Sequence, residues 1–181
     1  MKLVFLGPPG AGKGTQAKLL PEFYQISTGE VIRTAFKNKD KILLPYQASI
    51  ERGELLPDKP IFNLIEQEIK KVPAEYKGYI LDGAVRTLPQ AKFVLENKLG
   101  ETFINFPLFE TIAKERIKQR RLKENRKEDS PEAVERRFAD YNSQNIDILD
   151  YLFNNAQKYF EVNASASIES VHNSLLSLLR I

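Results

Sequence analysis

The chain has no cysteine, no tryptophan, one methionine and one histidine in 181 residues. Without cysteine there is neither a disulfide nor a thiolate zinc site, and the composition suits a reducing compartment. No stretch approaches the roughly 18 consecutive apolar residues of a membrane span. The opening MKLVFLGPPG briefly imitates a secretion signal, yet its apolar core is only Leu3–Leu6 and no cleavage pattern follows. A cytoplasmic protein without a membrane partner is therefore expected. Net charge is low as well, at +3 with a pI near 9.0, which is a weak signal for a polyanionic partner. Repeats, low-complexity tracts and Ser/Gly linkers are missing too, so one domain over residues 1–181 is expected.

What remains is an ordinary globular composition, 42% hydrophobic and 28% charged. Short apolar runs at Lys2–Leu6, Gln25–Ser27, Tyr79–Asp82, Thr102–Phe106 and Tyr159–Val162 read as strands. Amphipathic patterns at about 13–22, 29–38, 41–52, 58–72, 88–98, 108–121, 131–157 and 168–180 read as helices. Strands alternating with helices predict an α/β fold, with a five-stranded, mostly parallel sheet flanked by helices.

The sharpest motif is Gly7-Pro-Pro-Gly-Ala-Gly-Lys13-Gly-Thr15, which follows the first strand and opens a helix. Glycines let successive backbone N–H groups turn inward around phosphate oxygens, and the helix start adds a favourable field. Lys13 is placed to reach the β- and γ-phosphates of a nucleotide. The generic spacing puts Ser or Thr directly after the lysine; here Gly14 intervenes before Thr15, the expected magnesium-side hydroxyl. In such folds ligands sit beyond the carboxyl ends of the strands, so Asp82 would emerge beside the loop and hold Mg²⁺ through water.

Three further stretches carry chemistry. Ser27-Thr-Gly-Glu30 and Thr87-Leu-Pro-Gln90 both read as capping boxes. Arg33 lies early in its helix, where the dipole disfavours a cation, so an anion beside it is expected. Segment 114–127, KERIKQRRLKENRK, holds eight basic and two acidic residues. Its readings are a solvated face, a nucleic-acid surface or an arginine clamp on phosphate. The segment has no interleaved aromatics, which weighs against nucleic acid. Lys114, Lys118, Lys123 and Lys127 are read as solvated, and His172 as an exposed structural residue.

GPPGAGKGTQ, STGEVIR at 27–33, LDG--RT--Q at 81–90 and RKED at 126–129 together resemble the adenylate kinase family, in order and over nearly the whole chain. The resemblance implies a P-loop kinase with core 1–27, 58–116 and 130–181, an AMP-binding excursion at 28–57 and a lid at 117–129. The lid has only LKEN between Arg121 and Arg126, a short form with no room for zinc. It implies an ATP site built from Gly10, Ala11, Gly12, Lys13, Gly14, Thr15, Arg116, Arg120 and Ala166. On the AMP side it implies Thr28, Arg33, Glu54, Leu55, Leu56, Gly83, Ala84, Val85, Arg86, Gln90, Arg126 and Arg137. Lys13, Arg86, Arg120, Arg126 and Arg137 would carry catalysis, with Mg²⁺ as the cofactor accompanying ATP. The implied reaction is ATP + AMP ⇌ 2 ADP, run by a monomer. Alternatives are a UMP/CMP kinase, against which Thr28 argues because those enzymes resemble this pattern with alanine there, or a non-catalytic ATP- or RNA-binding protein. One departure stands out: Ala84-Val85 replaces the family's Phe-Pro, which carries a cis bond. A cis bond without proline costs about 2.5–4 kcal/mol, so a trans Ala84–Val85 peptide is expected.

Overall fold

A computed structural model describes every residue except Asn125 and Ile181. Five strands, β1 (Lys2–Leu6), β2 (Tyr24–Ser27), β3 (Tyr79–Asp82), β4 (Thr102–Asn105) and β5 (Tyr159–Glu161), form one sheet in the order β2-β3-β1-β4-β5. Every pairing is parallel, so the sheet is wholly rather than mostly so. The strands that run through the middle read as near-continuous apolar runs because helices cover both faces. Leu3, Val4, Ile80, Leu81, Phe103 and Ile104 are all fully buried.

Eight helices connect and flank the strands: α1 (Lys13–Lys18), α2 (Thr28–Lys37), α3 (Gln47–Glu51), α4 (Asp58–Ile69), α5 (Leu88–Glu96), α6 (Glu110–Glu124), α7 (Pro131–Asn155) and α8 (Ile168–Leu179). Ser130 caps α7 by accepting from the Ala133 N–H, with Pro131 at the first helical position where its missing N–H costs nothing. One core cluster packs α2, α4, α5 and α7 on one face of the sheet, and a second packs α1 and α8 on the other.

Two local expectations fail for identifiable reasons. The continuous helix read over 41–52 is a 3-10 turn at Leu44–Tyr46 followed by the short α3. Pro45 lacks the N–H that would continue an α-helix. After α3, Gly53 takes φ +85° and comes so close to the start of α7 that a Cβ would sit 2.5 Å from the Ala133 carbonyl oxygen. The second failure is the Ser27 capping box. Ser27 is the N-cap of α2, but its side chain makes no capping bond. β2 runs into α2 without a loop, and Ser27 is still paired with Asp82 in the sheet. Glu30 instead lies 4.0 Å from Lys18.

The minor assignments divide in the same way. His172 is half-buried, not exposed, with Nδ1 3.2 Å from the buried Gln16 Oε1. Phe153 is 70% exposed and meets Tyr159 edge-on. No described helix is long and apolar enough to cross a membrane.

Candidate active site

Parallel strands deliver their carboxyl ends to one edge, and the functional side chains gather there. Leu6 leads directly into the glycine-rich loop, whose backbone turns with Gly7 at φ +128°, Gly10 at +81° and Gly12 at +87°. Gly10 is doubly required, since a Cβ would also meet the Ala113 carbonyl oxygen at 2.6 Å. Lys13 begins α1, and its Nζ donates to the Gly7 and Pro8 carbonyls, at 2.8 Å each. The ammonium thus crosses the mouth of the loop. Burial holds its pKa down at about 8, with Asp82 pulling it back up and Arg86, Arg137 and Arg120 adding to the depression. Asp82 ends β3 one rung from Phe5 and Ser27. Its carboxylate faces the start of α1, 3.2 Å from where a Cβ on Gly14 would stand. Burial raises its pKa, while Lys13 and Arg86 oppose the rise.

All of this opens into one cleft of about 1520 Å³. That exceeds the roughly 300–1,000 Å³ of an ordinary single-ligand pocket. The loop from Gly10 to Thr15 lines it together with Asp82, and so do Thr28, Arg33, Glu54, Leu55 and Leu56 from the excursion. Gly83, Val85, Arg86 and Gln90 lie on the β3 side; Arg116, Arg120, Arg126, Arg137 and Ala166 lie opposite. Ala84 alone among the expected residues stays out of the cleft. It is fully buried in the core cluster that holds Leu56 and Ile61, and Val85 packs in the same cluster. The Ala84–Val85 bond is trans, as is every peptide among the described residues.

The arginine clamp has an organiser that the sequence reading overlooked. Asp129, with no side-chain surface exposed, accepts a bidentate pair from Arg120: Nε to Oδ2 at 2.7 Å and Nη2 to Oδ1 at 2.6 Å. Arg137 donates from Nη1 to the same Oδ1 at 3.1 Å. Burial works against the charge on Arg120, but the Asp129 pair outweighs it and the pKa is raised. On Arg137 burial wins, aided by Arg86, and its pKa falls to about 10. Arg126 pairs with Glu124. RKED did contain Asp129, but its partners lie nine residues before it and eight after, beyond the reach of a local pattern.

The anion expected beside Arg33 is a protein carboxylate. Arg33 Nη1 donates to Glu128 Oε1 at 2.9 Å, joining the 28–57 region to the 127–129 turn. Lys127, read as solvated, reaches Glu51 at 3.1 Å and makes a second such link. Lys114 is likewise paired, with Glu110 and Glu135. The Arg33–Glu128 side chains are 31% and 19% exposed, a setting in which an ion pair contributes at most about 1 kcal/mol. A phosphate dianion would displace Glu128 readily. Arg33→Ala is accordingly expected to raise the KM of a monophosphate substrate by about 10–100-fold, the loss of one or two charge-assisted bonds. The KM of the triphosphate should change little, which steady-state titration of each substrate would check.

The wall of the cleft formed by the start of α2 shows an open hydrogen-bond valence. Thr28 is 2% exposed, and its Oγ1 has no partner among the described residues. A buried hydroxyl in that state costs about 1–3 kcal/mol, which a ligand atom would recover. Gln90 does form part of a capping arrangement: its N–H donates to Thr87 Oγ1 at 3.3 Å. Its Oε1 accepts from the Arg86 N–H, one residue before the N-cap rather than at it.

Comparison with known proteins points to one family. The adenylate kinase family model matches residues 5–157. Adenylate kinase 1 of Nostoc sp. is 35% identical, with 98% of each chain covered. The adenylate kinase of Thermosipho melanesiensis is 34% identical over 99% of this chain and 100% of the relative. That of Leptospira biflexa is 31% identical over 97% of each.

Proposed function

Since the chain belongs to the adenylate kinase family, we propose that it transfers the terminal phosphoryl group of ATP to AMP, giving two ADP, and does so reversibly. One observation carries the reading: a phosphate loop, a strand-end carboxylate, six arginines and a buried hydroxyl without a partner among the described residues share a cleft large enough for two nucleotides. The donor lies along the loop, with Arg116, Arg120 and Ala166 on its flank. The acceptor lies between Thr28, Leu56, Gln90 and Arg33. Core, excursion at 28–57 and lid at 117–129 then divide the chain by task.

Magnesium fits the donor side. Thr15 and Asp82 flank the loop, and no group of three or more His, Cys, Asp or Glu side chains forms a cage among the described residues. An ion there would take most of its ligands from water and phosphate, which is magnesium's habit. When bound it would neutralise phosphate charge.

The protein's share of the chemistry is positioning and electrostatics. The acceptor phosphate is already ionised at neutral pH, so its oxygen attacks the γ-phosphorus without a general base. The new O–P bond forms as the bond to the departing ADP oxygen breaks, and no proton changes hands. Arg86, Arg126 and Arg137 hold the acceptor in line, while Lys13 and Arg120 meet the charge moving towards the leaving group. Closing the two arms over the cleft excludes water as a rival nucleophile.

A coupled assay with AMP, UMP, CMP and GMP tests the acceptor. AMP should lead by a wide margin, and no turnover with AMP would sink the proposal. Every group assigned to the site comes from one chain, which supports a monomer; light scattering would check the mass. The pH profile offers a second test. Lys13 must be charged to grip phosphate, and its pKa in the free protein is about 8. Because kcat/KM reports the free enzyme, kcat/KM for ATP should fall as pH rises through about 8. Bound phosphate stabilises the ammonium, so the corresponding limb of kcat should lie at higher pH.

A further inference from the structure

Gln90 is held more tightly than a base-reading amide at a pocket wall requires. Its side chain is buried, so solvent does not bridge a rotation of the amide. Oε1 accepts from the backbone N–H of Arg86 at 2.8 Å, and Nε2 donates to Asp58 Oδ1 at 2.9 Å. A backbone N–H only donates, and a carboxylate only accepts. Turning the amide over would set NH₂ against N–H and carbonyl against carboxylate, exchanging two hydrogen bonds for two repulsions. Asp58 is itself fixed, since the same oxygen accepts from Thr87 Oγ1 at 2.8 Å and the residue begins α4. Asp58 is not among the residues lining the cleft. It reaches the ligand only through Gln90.

After these two bonds the amide keeps one lone pair on Oε1 and one hydrogen on Nε2. Such an edge matches adenine, whose 6-amino group donates and whose N1 accepts. The reversed edge would match a 6-oxo purine, in which the 6-position accepts and N1 carries the hydrogen. With the phosphate end of the acceptor held by arginines, the base is not free to turn over to suit whichever edge it meets. The direction of the amide thus decides which purine is accepted.

We propose that Asp58 is a positioning residue for acceptor specificity: by pinning the Gln90 amide in one direction, it makes the site choose 6-amino over 6-oxo purine monophosphates. The inference rests on the reading of Gln90 as the group that contacts the acceptor base. Asp58→Leu tests it. Leucine keeps roughly the volume of the side chain but offers no acceptor to the Gln90 Nε2, so one of the two pins is lost while the Arg86 N–H remains. The measurement is kcat/KM for AMP and for inosine monophosphate at saturating ATP, with the KM of ATP alongside. The AMP-to-IMP ratio should fall about tenfold, the scale of one net hydrogen bond to a charged group, with the KM of ATP unmoved. A ratio is independent of the fraction of active protein, so partial loss of folding does not blur it. Gln90→Leu, assayed in parallel, separates the two ideas. If it collapses the ratio while Asp58→Leu leaves it intact, the role of Asp58 is refuted and the base reading stands. If Gln90→Leu leaves the ratio intact, the base reading fails and the inference falls with it.

Discussion

Arg86→Ala is expected to lower kcat by about a thousandfold and leave folding stability within about 0.5 kcal/mol of the parent. The two effects separate because the side chain does little for the fold. It is exposed within the cleft, and its one side-chain bond runs from Nε to the Gly83 carbonyl at 3.2 Å. Its backbone N–H, the donor to Gln90, survives the substitution. The guanidinium lies close enough to Asp82 and Lys13 to bear on both their titrations, where the proposed reaction would bring donor and acceptor phosphates together. An interaction made chiefly in the transition state should lower kcat and kcat/KM together. Equal kcat in the variant, with an unchanged melting temperature, would remove Arg86 from the reaction.

Asp129→Ala should damage both properties at once. Alanine would leave Arg120 and Arg137 without the carboxylate that now orients both. Breaking a buried ion pair by removing one partner costs about 3–5 kcal/mol. Arg120 and Arg137 retain 28% and 17% exposure, which places this case at the low end. With about 3 kcal/mol lost, the melting temperature of a chain this size should fall by roughly 6–12 °C. kcat should fall about a hundredfold, because guanidinium groups about 1 Å out of place lose much of their value. Thermal melts and initial rates on the same preparation would check the pair of effects. An alanine variant with parental kcat would mean that the arginines hold their positions without Asp129.

Local chemistry made much of the fold readable. β1 and the glycine-rich loop follow each other in sequence and in space, so the motif carries its own context. The strand and helix count survived because hydrophobic period separates buried strands from amphipathic helices well. The failures occur where a distant partner decides. Ser27 looked like a cap, but the sheet retains it. Lys127 is 72% exposed, as expected of a solvated lysine, and also reaches Glu51, whereas Lys114 is held between Glu110 and Glu135. Ala84 is implied on the AMP side by the family resemblance, and its side chain is fully buried in the core rather than lining the cleft. Gln90 was readable both as a cap and as a base contact; its backbone N–H takes the Thr87 capping bond, while its side-chain amide lies between the Arg86 N–H and Asp58. No spacing rule links residue 58 to residue 90, so only the packed structure brings them together.

The direct passage from β2 into α2 bears on how such a site can be retargeted. Ser27 is still a rung of the ladder beside Asp82, and Thr28, with its open hydroxyl, comes next on the chain. The residue proposed to sense the acceptor base is thereby bolted to the same rigid edge that carries the proposed metal-side acid, with no flexible loop between them. Evolution or an engineer can then alter the accepted base by exchanging a side chain at 28, 58 or 90, while the phosphate geometry inherits its alignment from the sheet. On the proposed reading, specificity in this chain is a matter of which atoms decorate a fixed frame, so new substrate choice would not require a remodelled backbone.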